Sequence, residues 1–92
     1  MAKLIVIPRL GVTMTEGKLV RWLKEVGDGV EVGEPLFEVE TDKVVMEAEA
    51  LYAGVLLQKL TGGDAVLPVG GVVGVIGFSG EKYDLEELLG QK

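Results

Sequence analysis

Two alternations of opposite phase meet near the middle of the chain. Between Phe37 and Thr41, the residues Phe37, Val39 and Thr41 take one parity while Glu38 and Glu40 take the other. Beyond the break, Val44, Met46 and Ala48 share a parity against Val45, Glu47 and Glu49. Strand side chains alternate faces with period two, so each stretch predicts a half-buried strand. The phase reverses at Asp42-Lys43, which predicts a tight hairpin with those two residues as its loop. The pairs are then Thr41 with Val44, Glu40 with Val45, Val39 with Met46, and Glu38 with Glu47. This register gathers Phe37, Val39, Thr41, Val44, Met46 and Ala48 on one face and nearly all the acids on the other. A slip of one residue would expose the whole apolar set, so burial holds the register. Asp-Lys is a weaker turn signal than Asn-Gly. Glu38 opposite Glu47 also sets like charges across the ladder, at a cost of a few tenths to about 1 kcal/mol. Lys43 is expected at the apex, pointing into water.

The rest of the chain reads as short strands between turns. Lys3 to Ile7 is a β-branched run closed by Pro8. Gly11 to Gly17 follows as a loop. Lys18 to Lys24 alternates, with Leu19, Arg21 and Leu23 against Val20, Trp22 and Lys24, and the pattern leaves the buried face open. Gly27-Asp28-Gly29 and Gly33-Glu34-Pro35 are turns around a short strand, Val30 to Val32. After the hairpin come Val55 to Leu60, Ala65 to Leu67 and Val72 to Gly77. The order of glycines, strands and turns recurs. Gly17 maps to Gly54 and Gly33 to Gly70 at a separation of 37, whereas Gly27-Asp28 maps to Gly63-Asp64 at 36, as if one residue were deleted and another inserted. Two copies are too few for a solenoid. Eight short, evenly spaced strands instead suit a β-sandwich or flattened barrel with a pseudo-two-fold axis. That axis would set the Lys43 apex and the chain termini at opposite ends. Residues 1–80 form the domain and 81–92 a tail. There Asp84 could cap a short helix with Leu85, Leu88 and Leu89 on one side, which docks on the domain or frays.

Composition narrows the chemistry. Only five of the 92 residues are aromatic, so the core must be mostly Val, Leu and Ile, which favours strands. Cysteine and histidine are both absent. That excludes a disulfide, Ser-His or Cys-His nucleophilic catalysis and a Cys/His metal set. The net charge of −6 argues against nucleic-acid or anionic-membrane partners. No apolar run approaches the roughly 18 residues of a membrane span, and the first strand begins too near Met1 to leave room for a signal peptide. The expectation is a soluble, cytoplasmic, monomeric domain. Gly70-Gly71-Val72-Val73-Gly74 lacks the Lys-Ser/Thr of a phosphate cradle. Glu38, Glu40, Glu47 and Glu49 read as a solvated strand face, since nothing in the sequence would raise one of their pKa values. A lysine at a hairpin tip is, on geometry alone, usually a solubilising charge.

The stretch from Gly17 to Lys43, GKLVRWLKEVGDGVEVGEPLFEVETDK, resembles the lipoyl domain of dihydrolipoamide acyltransferases (E2) of 2-oxo acid dehydrogenase complexes. So does the leading PRLGVTMTEG from Pro8 to Gly17, and the resemblance extends over residues 3 to 78. It implies a flattened barrel of two four-stranded antiparallel sheets. It also implies that Lys43 carries lipoic acid in amide linkage, with Glu40, Thr41, Asp42 and Val44 as the flanks a lipoate-attaching enzyme reads. The loop Gly11, Val12, Thr13, Met14, Thr15 and Glu16 would take part in recognition by the thiamine-dependent E1 component. Related biotin carriers hold the lysine in Met-Lys-Met, whereas Asp42 and Val44 flank it here. Many lipoyl domains have alanine at the position of Val44.

A domain without cysteine or histidine can join redox acyl transfer only if a cofactor brings the sulfur. On this resemblance the chain is no enzyme by itself. It is a carrier served by E1, the E2 acyltransferase core and the E3 dihydrolipoyl dehydrogenase. Two other readings stand beside it: a biotin carboxyl carrier of a biotin-dependent carboxylase, and an unmodified β-module that only mediates interactions.

Overall fold

The computed structural model describes residues 2–41 and 44–90. Among the described residues there are eight strands: β1 (Lys3–Val6), β2 (Glu16–Trp22), β3 (Gly29–Val30), β4 (Pro35–Thr41), β5 (Val44–Glu49), β6 (Gly54–Lys59), β7 (Ala65–Pro68) and β8 (Val72–Gly77). One short helix, α1 (Leu85–Gly90), follows them. The strands form two four-stranded antiparallel sheets, ordered β1-β8-β6-β3 and β5-β4-β2-β7. Replacing each strand by the one four places on turns the first order into the second, as a pseudo-two-fold requires.

The repeat extends to the register. Leu19 pairs with Val39 on β2–β4, and Leu56 with Ile76 on β6–β8, each residue 37 positions after its counterpart. Bulges fall between Leu19 and Arg21 in one half and between Leu56 and Gln58 in the other, at the same offset. Fully or nearly fully buried side chains come in the same couples: Leu19 and Leu56, Val39 and Ile76, Leu36 and Val73.

Two sequence readings are revised here. The offset of 37 holds through the Gly-Asp turns as well. The amide of Gly27 donates to Leu56 O, and the amide of Asp64 donates to Leu19 O, so Asp64 is the counterpart of Gly27. Both have a left-handed backbone, with φ of +98° at Gly27 and +66° at Asp64. No residue is deleted or inserted. Aspartate is among the few side chains that tolerate this region, which hid the correspondence from a comparison of glycines. The open face of β2 is settled by its bulge. Leu19 points inward before it and Trp22 after it, so neither parity set is buried along its whole length.

Trp22 then packs against Phe37 with ring centroids 5.1 Å apart and the planes tilted by 56°, and its Nε1 donates to Thr61 O at 2.8 Å. Gly74 makes room for it: an added Cβ would lie 3.1 Å from the indole. Residue 37 in one half and residue 74 in the other are repeat counterparts, so one aromatic pair fills space that the second half leaves empty.

The tail docks. Asp84 Oδ1 accepts from the amides of Glu86 and Glu87 at 3.0 and 3.3 Å, the capping geometry expected of it. Leu85 and Leu88 are half-buried while Leu89 is exposed. Tyr83 OH donates to Gln58 Oε1 at 2.6 Å, and Gln58 is the register partner of Val75. The tail therefore crosses the outer face of the first sheet there, and Val75 is fully buried although it lies outside the central core cluster.

Candidate functional site

The hairpin is built as the alternation requires. β4 and β5 pair Glu38 with Glu47, Val39 with Met46, Glu40 with Val45 and Thr41 with Val44. Asp42 and Lys43, the expected loop and modification point, lie outside the described residues. Burial fades along the hairpin. Phe37, Val39 and Ala48 are in the core, Thr41 is half-buried, and Met46 and Val44 are 39% and 53% exposed. The apolar face thus runs past the end of the core, whereas its whole length was expected to be half-buried. Glu40, Val45, Glu47 and Glu49 are exposed on the other face and Glu38 is half-buried. The facing carboxylates of Glu38 and Glu47 have a cation between the strands' neighbours: Arg21 of β2 donates from Nε to Glu38 Oε1 at 2.9 Å. That hydrogen bond, with the charges of Glu38 and Glu47, holds the guanidinium further above its ordinary pKa.

Loop residues 10–15 come to the same end of the molecule. Met14 is its anchor: it is buried, its amide donates to Gly11 O at 3.2 Å, and its Sδ accepts from the Leu10 amide at 3.2 Å. Thr15 O accepts from the Val69 amide at 3.0 Å, tying the loop to the second half. Gly11, Val12, Thr13, Thr15 and Glu16 are exposed, and Val12 is 91% so.

Between loop and hairpin lies a groove of about 490 Å³. It brings together Gly11, Thr13, Met14, Thr15 and Glu16 from the loop with Glu40, Thr41 and Val44 from the hairpin, while Val12 stays outside it. The sequence reading did not single out Leu10, Gly17, Lys18, Met46 or Val66, which complete the lining. Met46 was legible from its parity with Val44. Val66 was not, because its position follows from β7 lying beside β2 at the sheet edge. The opposite end carries the pseudo-symmetric counterpart, a smaller hollow lined by Lys3, Val32, Leu51, Tyr52, Ile76 and Phe78 among others. There the gap between the end of β8 and the start of β1 takes the place of the hairpin loop.

Among the described residues no three acids stand close enough to hold a metal ion, and no helix is long and apolar enough to cross a membrane. The family model Biotin_lipoyl, described as "Biotin-requiring enzyme", matches residues 3–76. The chain belongs to this family. Its Biotin_lipoyl relatives include the dihydrolipoyllysine-residue acetyltransferase component of the pyruvate dehydrogenase complex of Mycobacterium tuberculosis, 48% identical over 80 residues. That match covers 87% of this chain and 14% of the relative. The corresponding component of the acetoin cleaving system of Pseudomonas putida is 39% identical over 82 residues, covering 89% of this chain and 22% of that protein. The chain thus spans less than a quarter of the length of either relative, a share that fits one carrier-type domain without an acyltransferase catalytic domain.

Among solved structures, the lipoyl domain of the 2-oxoglutarate dehydrogenase complex from Azotobacter vinelandii superposes with a TM-score of 0.60 at 28% identity, covering 79% of this chain and 95% of that one. The Kluyveromyces lactis urea carboxylase matches with a TM-score of 0.70 at 25% identity, covering 84% of this chain and 6% of that one. The flattened pair of four-stranded sheets and the resemblance to E2 lipoyl domains are both borne out. At the family level the chain is a lipoyl or biotin attachment domain.

Proposed function

We propose that this chain is a lipoyl carrier domain of an E2 component and that Lys43 is the residue lipoylated. The observation that carries the reading is a hairpin whose last described pair, Thr41 with Val44, flanks a lysine in the sequence, in a chain with no thiol or imidazole of its own. A primary amine two residues after the end of β4 and one before β5 fits amide attachment, and the amide removes its charge. The attached group supplies a disulfide that opens on acylation and a dithiol that is reoxidised. The residues of this chain present it. The ladder from Glu38–Glu47 to Thr41–Val44 fixes the two strand ends that flank Lys43 in the sequence. Glu40, Thr41, Asp42 and Val44 are the flanks for the attaching enzyme, and the exposed loop Gly11 to Glu16 is the surface for E1. Tethering in a larger complex would raise the effective concentration of the group at the E1, acyltransferase and E3 sites into the millimolar range expected of a short flexible linker.

The urea carboxylase likeness favours a second reading, a biotin carboxyl carrier. Asp42 and Val44 in place of Met-Lys-Met, together with 48% identity to an E2 component against 25% to the carboxylase, support lipoyl over biotin. Incubation of the unmodified domain with lipoate-protein ligase and, separately, with biotin-protein ligase separates the two. A lipoyl mass shift that disappears in Lys43→Ala, with an unchanged circular dichroism spectrum, is expected. A biotinyl shift, or a variant that no longer folds, contradicts it.

A further inference from the structure

A further hollow lies on the flank of the sandwich, where β1 ends one sheet and β5 ends the other. Leu4, Ile5 and Val6 all line it, although successive strand residues point to opposite faces. Three in a row reach it because the free edge of β1 forms its lip: among the described residues, β8 alone pairs with β1. The far wall runs from Glu49 to Tyr52, and its backbone is already engaged. There the Ala50 amide donates to Glu34 O at 2.8 Å, and Ala50 O accepts from the Gly33 amide at 2.9 Å. Phe37 and Ile76 of the core, 1% and 2% exposed, also line the hollow, whereas Leu51 and Tyr52 are 75% and 44% exposed. None of residues 81–90 lines it.

Size, backbone and charge together define an occupant. The volume is about 110 Å³, below the roughly 150 Å³ of an apolar cavity that takes benzene, and it suits one branched aliphatic side chain. A free strand edge beside a pocket is the arrangement for strand addition, in which main-chain hydrogen bonds give affinity and the pocket takes an alternate side chain. Pro8 has no amide hydrogen to offer, so the added stretch ends before it. Glu49 is the one charged residue of the lining, and among the described residues no cation is paired with it. Lys3 lies outside the lining, 5.6 Å from the centroid of the Tyr52 ring. A folded second copy fits poorly, because its strands already turn one face into a core of their own and its net charge is −6. We infer that the β1 edge and this hollow form a docking site for an extended segment of a partner protein. The segment adds as a short strand beside β1 and sets one Leu, Ile or Val into the hollow. Two positions away, on the same face, it carries Lys or Arg toward Glu49. The site uses neither residue 43 nor residues 10–15, so it stands apart from the carrier reading.

Short capped threonine peptides with a central leucine, and a lysine two positions later, test this when titrated into the nitrogen-15-labelled domain. Saturable shifts at residues 3–6 and 49–52, with slowed amide exchange in β1, are expected at millimolar peptide or below. Replacing the leucine by alanine should weaken binding about tenfold or more. N-methylation of alternate peptide amides should abolish binding in one phase, which faces β1, and spare it in the other. The Glu49→Lys domain, with an unchanged circular dichroism spectrum, should bind the lysine peptide several-fold more weakly and a glutamate counterpart more tightly. Absence of saturable shifts with every peptide overturns the site, as does equal binding by the two N-methylated phases. Concentration-dependent self-association through β1 would replace the peptide by a second copy and overturn it too.

Discussion

Gly17 is enclosed by the parts that shape the site. An added Cβ there would stand 2.6 Å from Val39 Cγ1 and 3.0 Å from Met14 Cε, the first in the hairpin and the second the anchor of the loop. Both are buried. Gly17→Ala should therefore overpack this corner, at about 1–3 kcal/mol. It should also disturb amide shifts across residues 11–16 more than elsewhere. Urea denaturation with an unchanged midpoint would refute the tight packing. At this scale the sequence was legible where a residue's role follows from its own strand, as for Met46. It was silent where the role comes from a neighbour distant in the chain, as for Val66 beside Lys18 or Gly74 beneath Trp22.

Each strand of the hairpin is held at its base by a turn. Glu34 Oε1 accepts from the Glu31 amide at 2.8 Å, its Oε2 accepts from Lys24 Nζ at 3.1 Å, and Glu34 O accepts from the Ala50 amide at 2.8 Å. The Glu31 hydrogen bond first, and then the Lys24 contact, pull the Glu34 pKa below the ordinary carboxylate value. A carboxylate whose folded pKa is depressed contributes stability above its unfolded pKa, and that contribution is lost as pH falls toward the folded value. Glu34→Gln should thus weaken the domain at neutral pH and make little difference once the solution is more acidic than the depressed pKa. Denaturation midpoints for both proteins across that range check this, and a difference that grows with acidification would contradict it. Among the elements, the hairpin register was readable because burial of Phe37, Val39 and Ala48 forces one phase. The burial of β2 was not, because a bulge shifts phase inside a strand whose composition is apolar on both sides.

Across the molecule, one arrangement is used twice. Leu19 and Leu56 are both fully buried, and each sits at the bulge of its own sheet. Either change to alanine should cost about 2–5 kcal/mol, the range for deleting a buried leucine side chain. A Leu56→Ala domain as stable as the parent would contradict the equivalence of the halves. The repeat was visible in Gly17/Gly54 and Gly33/Gly70, and it gave the sandwich. The Gly27/Asp64 couple was hidden because two different residue types meet the same backbone demand.

The symmetry also frames function. One end of the repeat closes into the β4–β5 hairpin, while the other ends at the gap between β8 and β1. The most direct test is the mass of the protein purified from its own host, followed by peptide mapping. A single lipoyl adduct on the peptide containing Lys43 is the predicted result, and an unmodified Lys43, or an adduct on another lysine, would contradict the account.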